Sequence, residues 1–362
     1  HKTIVMVAAL AAMFLAQGRF PADAQEKSRY LGGEVALTKA PNGAVVEANV
    51  LEVSSKIVYV EPTKEKVADG VWCLGGYSIV NSIVIEGDSG LIVYDTGDNK
   101  EEGKHLRKAI AKISNKPVKA IIYSHSHYAL GGGALVDNPD DVLVIGHPKL
   151  NETVQNNMRG GGAPSAIPEV GPILSARALI QFNNYLPPDG PDAALAGKIE
   201  GGKPTAFLPA NKTVKDGEEL DVLGLKMQFF TNHISDDYNL TVWIPEKGVA
   251  LNNFFWPGTP NLYTLRGGVF RDPLDWRDGL KVIRDLQPEI LLSTHTRAIV
   301  GKDEVMRRLT GYMDQISLTY DQTLRGILAG LSLGDLRNVV YIPPHLKEIP
   351  ENAQSYGETV HF

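Results

Sequence analysis

Apolar and polar positions along this chain alternate in two registers. From Val71 onward the short-period register dominates. Residues 76–98, GYSIVNSIVIEGDSGLIVYDTGD, hold two β-branched runs around Gly87-Asp88-Ser89-Gly90, which predicts a hairpin. Residues 101–114 change to helical period, with Leu106, Ile110 and Ile113 on one face and charges on the other. VKAIIYSH and DVLVIGHP then read as strands, as do AFLPANKTV, LKMQFFTNH, NLTVWIPEKGVALNNFF and EILLSTH. Residues 276–286 read as a helix. From Lys302 to about Gly330 a helical pair carries Val305, Met306, Leu309, Tyr312, Met313, Ile316, Leu324, Ile327 and Leu328. This β-β-α-β-α-β alternation fits an α/β sandwich. It divides the chain into an arm over 25–70, a main domain over 71–301 and a C-terminal helical segment over 302–362. Residues 151–205, rich in Gly, Pro, Asn and Ala, read as an insertion lining a cleft.

Composition narrows the class. The 362 residues are 43% hydrophobic and 22% charged, as in a folded chain. A net charge of −6 without a basic block argues against a nucleic-acid partner. The lone Cys73 rules out an intrachain disulfide. At the start, Lys2, the apolar run over 4–16 and Ala22-Asp23-Ala24 read as a secretory signal peptide over 1–24. Export, to a periplasm or outside the cell, is the expectation; a buried or amphipathic first helix is the other reading. The apolar run is short for a membrane span, and no other stretch is long enough.

The chemistry concentrates on histidines. His125 and His127 lie two apart at the end of an apolar run, so both imidazoles point to one side of an extended segment. The glycines 131–133 let the chain turn sharply beyond them. His127, His233 and His295 all stand at or just past the ends of strand runs. A strand-end histidine by itself is usually a polar cap. A His-x-His pair with two more, converging on one sheet edge, would give the three or four donors that zinc takes. His105, on the polar part of a helix, and His147, before Pro148, read as structural or exposed.

HSHYALGGG resembles the metal signature of the metallo-β-lactamase superfamily, His-x-His-x-Asp-His-x-Gly-Gly, with Ala129 and Leu130 in place of the aspartate and third histidine. FFTNHISDDYNLTVWIPEKG resembles the segment bearing the next histidine, with His233 there; alkylsulfatases carry a glutamate in this turn. Leu251-Asn252-Asn253 stands where the superfamily has a later aspartate, and SerThrHisThr puts His295 at its last histidine. Asp95 in LIVYDTG matches the aspartate that orients the metal loop. NLYTLRGGVFRDPLDW is similar to the Asn-Leu-x-Thr-Leu-Arg-Gly motif of alkylsulfatases, and YDQTLRGILAGLSLGDL to their His-Asp-Gln-Thr-Leu-Arg helix, which carries Arg325 here. The resemblance runs from about Val71 to Arg337.

It implies a four-layer αββα sandwich with a C-terminal helical extension. It also implies a single metal, zinc before iron, manganese or nickel, on His125, His127 and His233. Of the second metal site only His295 survives. Acid–base help would come from His295, Tyr128, Asp236 or Asp237, and substrate contacts from Arg266, Asn261, Tyr263 and Asn252. Three readings stay open: an exported single-metal hydrolase of a small, ester-like and possibly anionic molecule; a single-metal lyase or dehalogenase on a non-sulfate substrate; and a non-catalytic binding protein. The expected partners are a small-molecule substrate and, by resemblance, a second copy in a homodimer.

Overall fold

The computed structural model describes residues 27–30, 33–159, 173, 176–177, 179–180, 182–195, 203–262 and 270–354. Residues 1–24 of the expected signal peptide lie outside them. A small antiparallel sheet opens the chain with β1 (Lys27–Tyr30), β2 (Gly33–Lys39) and β3 (Val45–Glu47), followed by α1 (Ala48–Ile57). Next come β4 (Thr63–Ala68), β5 (Val71–Gly75), β6 (Ser82–Glu86), β7 (Leu91–Tyr94), α2 (Lys100–Ile110), β8 (Val118–Ile122), β9 (Leu143–Gly146), α3 (Leu150–Arg159) and β10 (Lys212–Thr213). Their strands form one sheet in the order β10-β9-β8-β7-β6-β5-β4. The second sheet runs in sequence order through β11 (Glu219–Val222), β12 (Leu225–Phe230), β13 (Thr241–Ile244), β14 (Val249–Asn252), β15 (Ile290–Ser293) and β16 (Ile299–Val300). Helix α4 (Pro273–Asp285) crosses from β14 to its parallel neighbour β15, and α5 (Lys302–Leu328) follows β16.

Strand periodicity sorts side chains onto faces. Ile83, Ile85, Ile92, Tyr94, Ala120 and Ile122 meet Met227, Phe229, Val242, Ile244, Leu251 and Leu292 in a core between the sheets. The alternate residues Val84, Val93, Ile121 and Val144 pack outward under Leu106 and Ile110 of α2 and Val154 of α3. On the far side, Ala250 and Leu291 lie under Trp276, Leu280 and Ile283 of α4 and Val305, Leu309 and Tyr312 of α5. The result is the four-layer αββα sandwich with a C-terminal helix.

The structure differs from the sequence pattern in three places. Strand β4 pairs antiparallel with β5, so the main sheet reaches back to Thr63, inside the expected arm. AFLPANKTV is mostly irregular; only Lys212–Thr213 pairs. Pro209 has no N–H to give a ladder, and the Asn211 side chain accepts from Val144 N–H and donates to the Val142 carbonyl in place of backbone. The helical pair is one 27-residue helix. Gly311 does not break it; a Cβ there would meet Ile349 Cγ1 at 2.5 Å, so this glycine admits the C-terminal segment.

Candidate metal centre

All the site elements leave one edge of the sandwich. Strands β7 and β8 run parallel, as do β14 and β15, and two antiparallel steps give β12 the sense of β14. The segments after β7, β8, β12, β14 and β15 therefore converge. After β7 the chain turns at Asp95, whose φ of 59° is the left-handed region that Asn and Asp tolerate. Its Oδ1 accepts the Ser124 N–H at 2.8 Å, anchoring the loop that carries the histidines. Burial pushes this carboxyl up to about 8, with hydrogen bonds from Ser124 offsetting part of the shift. The Asp95 loop then zips along the histidine loop. Thr96 N–H and Oγ1 both donate to the Tyr128 carbonyl, and Leu130 N–H donates to Gly97.

Within this frame His125, His127 and Asp236 present donor atoms that all lie within 4.8 Å of one another. His127 Nδ1 is 3.2 Å and His125 Nε2 3.7 Å from Asp236 Oδ2. The two rings meet edge-on, with centroids 4.9 Å apart. His125 is fully buried, its Nδ1 lies 2.7 Å from Ser124 Oγ, and its Nε2 has no hydrogen-bond partner. Burial, helped by the charges of His127 and His295, holds His125 down to about 3, so the imidazole is neutral. Burial works against charging His127 too, but Asp236, Asp237 and Asp98 outweigh it and raise this group. Burial would lift the Asp236 carboxyl; His125, His127 and Arg271 overcome that and hold it well below the carboxylate range.

Two imidazole nitrogens and one carboxylate oxygen form a donor set that zinc accepts, and a buried His125 Nε2 with no hydrogen-bond partner beside that carboxylate suits a metal ligand. The residues present therefore fit a metal. His125, His127 and Asp236 would hold it. Among the described residues no second group of three such donors comes together. Ala129 is fully buried and Leu130 packs on the same apolar layer.

Several expected roles move. His233 is not beside the histidine pair: its Nδ1 pairs with Asp275 Oδ1 at 2.8 Å, and Asp275 Oδ2 also accepts the Ile234 N–H. Asp236, three residues on, is the residue that turns its carboxylate to the histidine pair. Asp237 is committed to Ser126, accepting its hydroxyl and, at 3.3 Å, its N–H; it braces the residue between the two histidines. Asn252 has no free carboxamide for a substrate. Its Oδ1 caps the N–H groups of Phe254 and Phe255, and its Nδ2 donates to Ser293 Oγ. Asn261 accepts from Arg271 Nη1 through its side chain. Tyr263 and Arg266 lie outside the described residues.

His295 and Tyr128 do line the site. The Tyr128 ring stands edge-on between His125, at 4.9 Å, and His295, at 5.2 Å. His295 Nδ1 donates to the Ile79 carbonyl at 3.2 Å, which leaves Nε2 as the basic nitrogen. Burial holds His295 below the usual histidine range. His147 is structural: it stacks on Tyr238 and accepts the Lys149 N–H.

Four residues escape a reading of the sequence. Asn253 donates to Asp236 Oδ1 at 2.8 Å and accepts from Thr294 Oγ1 at 2.6 Å. Asp98 lies within charge reach of His127, and burial pushes its carboxyl up to about 6. Trp256 packs on His295 at 5.4 Å, and Arg271 lies over Trp256 at 5.7 Å. The adjacent Asn252-Asn253 pair was the one visible signal, and it pointed to the wrong member.

This fold and donor set define an αββα sandwich with a His/Asp cluster that could hold a metal. Residues 75–203 match the metallo-beta-lactamase superfamily. The linear primary-alkylsulfatase of a Pseudomonas strain is 29% identical over 284 residues, 76% of this chain and 53% of that protein. An alkyl/aryl-sulfatase of Saccharomyces cerevisiae is 25% identical over 312 residues, 82% of this chain and 47% of that protein. The chain thus spans about half the length of these curated relatives. The solved structure of a stereoselective inverting sec-alkylsulfatase from Pseudomonas sp. shares the fold with TM-score 0.73 at 19% identity, covering 98% of this chain and 60% of that one. Residues 75–203 thus resemble the metallo-β-lactamase superfamily, and most of the chain is similar to part of the alkylsulfatases.

Proposed function

We propose that this chain is a metal-dependent hydrolase of a small, anionic, ester-like substrate, working with a single zinc on His125, His127 and Asp236. The carrying observation is the buried cluster with its orphaned His125 Nε2. Zinc bound there would supply Lewis acidity and acidify a water towards neutral pH. The protein's own groups do the rest. Asn253 holds Asp236 Oδ1 and leaves Oδ2 to the cluster. Neutral His295, oriented by the Ile79 carbonyl, is placed to accept a proton. Tyr128 keeps the histidine rings apart. The sulfatase relatives support a sulfate ester as the first substrate to try. The buried apolar Ala129 favours a second reading, single-metal lyase or dehalogenase chemistry on a non-sulfate substrate. Export remains part of the proposal on the strength of residues 1–24. Self-association is supported by exposed Ile327, Leu328 and Leu333 near the end of α5.

Elemental mass spectrometry on purified protein tests the centre. About one zinc per chain is expected, lost in His125→Ala and Asp236→Ala and retained in His233→Ala. Zinc retained in Asp236→Ala, or lost only in His233→Ala, would return the third ligand to His233. Turnover of a panel of sulfate, phosphate and carboxylate esters on the same preparations tests the hydrolase reading.

A further inference from the structure

We propose that Asn81 is a positioning residue for His295, fixing the orientation and tautomer of its ring. The proposal deepens the hydrolase reading and rests on it for the role of His295 as proton acceptor. In the sequence Asn81 interrupts an apolar run, between Ile79-Val80 and Ser82-Ile83. It stands just ahead of β6 in the first sheet and is 5% exposed. Its N–H groups nevertheless cross to the second sheet. Nδ2 donates to the Ser293 carbonyl at 3.1 Å and to the Thr296 carbonyl at 2.6 Å. The backbone N–H donates to the Thr294 carbonyl at 2.6 Å. Both carboxamide hydrogens are thereby used, as a buried amide requires.

Those three acceptors bracket His295. The histidine lies in the turn between β15, which ends at Ser293, and β16, which starts at Ile299. Thr296 Oγ1 is buried with no hydrogen-bond partner, so that end of the turn is held at its carbonyl and not through its hydroxyl. Two residues before Asn81, the Ile79 carbonyl meets His295 Nδ1 at 3.2 Å. One three-residue segment therefore grips the turn on both sides of the histidine and also supplies the acceptor for its ring. A proton held on Nδ1 leaves the lone pair on Nε2. A shift of about 1 Å in the turn would release that bond, and misplacement of this size can cost about a hundredfold in rate. Aspartate has the shape of asparagine but no N–H to give, and it would set a carboxylate oxygen against two carbonyl oxygens.

The test compares Asn81→Asp and Asn81→Ala with wild type in the zinc-loaded full chain. Asn81→Ala removes the same donors without burying a charge, so the comparison survives if Asn81→Asp does not fold. Ser78→Ala is the control, because the Ser78 hydroxyl bonds Val80 within the same loop. Nitrogen NMR of isotope-labelled histidines, with His295 assigned from His295→Gln, reads the tautomer. Wild type should carry the proton on Nδ1 of His295. Both Asn81 variants should show a mixture of tautomers, and Ser78→Ala should match wild type. In ester turnover kcat should fall about tenfold to a hundredfold in both Asn81 variants, with KM and zinc content little changed. Added to His295→Gln, either Asn81 substitution should cost about twofold or less, since the residue it positions is gone. A merely structural role would cost the same in both backgrounds, and that result would overturn the proposal. So would an Nδ1 proton on His295 that persists in both Asn81 variants, or a wild-type proton on Nε2. Wild type that turns over no ester counts against the hydrolase reading, and the tautomer then still decides for or against Asn81. Full turnover in wild type and in both Asn81 variants counts against Asn81 alone.

Discussion

Asp236 and His233 differ by three positions, and in a turn that distance decides which side chain faces the site. His233 is drawn to Asp275 at the start of α4, whereas Asp236 reaches His125 and His127. Asp237 does a different job again through Ser126. Supporting groups of this kind typically change metal affinity by about tenfold to a hundredfold without being ligands. Asp237→Ala should therefore weaken zinc binding by about that factor while leaving one zinc at saturation. Competition against a chromophoric chelator measures it. Unchanged affinity would mean Ser126 needs no brace. The His-x-His pair was readable because its i, i+2 spacing acts within one strand. The third donor was not, because Ser-Asp-Asp in a turn carries no periodicity to say which carboxylate points inward.

At the scale of elements, the site depends on how closely α2 and the histidine loop approach. Helix α2 starts at Asn99, whose Oδ1 accepts from the N–H groups of Glu101 and Glu102, both at 3.0 Å. A Cβ on Gly103 of that helix would meet the Gly131 carbonyl at 2.3 Å, and one on Gly131 would meet the Thr96 carbonyl at 2.1 Å. Both glycines are required by close backbone approach rather than by a left-handed φ. Gly131→Ala should force the loop off α2, costing about 2 kcal/mol of stability and lowering zinc affinity together. Urea unfolding and chelator competition on one sample test this. A stability loss with unchanged zinc affinity would show that the loop and the ligands are mechanically separate. The Gly run was visible in the sequence as a turn. Its contact with α2 was not, since that contact joins segments whose proximity only the packed sheet creates.

At the scale of the whole molecule, burying several ionisable groups at one edge makes stability depend on pH and metal together. In the metal-free protein, Asp95, pushed up to about 8, keeps its proton when folded after the unfolded chain has lost it. Stability therefore falls as pH rises from about 4 to 8, by at most ~1.4 kcal/mol per pH unit for one group. His127, also raised, adds the same sign: its contribution is present below about 6.5 and is lost as pH rises through its folded value. His125, held down to about 3, has the opposite sign, but only below about 6.5, where the unfolded chain still takes up its proton. Above that pH the falling trend stands unopposed among these three. Thermal melts should show metal-free protein less stable at pH 8 than at pH 6.5. The zinc-induced rise in Tm should be larger at the higher pH, because zinc binds deprotonated ligands. A metal-free Tm that is flat or rises over this interval would contradict the burial of these groups.

The αββα architecture was largely determined by local pattern. Alternation such as Ile83-Val84-Ile85 assigns inward and outward faces residue by residue, and the helical stripe of Leu106 and Ile110 needs only one apolar layer to cover it. The histidine pair was determined in the same way, by spacing inside one strand end. Tertiary structure alone decided that Asp236, and not His233, meets the histidine pair, that Asn253 rather than Asn252 holds Asp236, and that the buried Arg271 stands behind Trp256. Those groups come from turns and strand ends far apart in sequence. Their relation is set by sheet order and register, and a linear pattern carries no information about which irregular segments the closed sandwich brings to one edge.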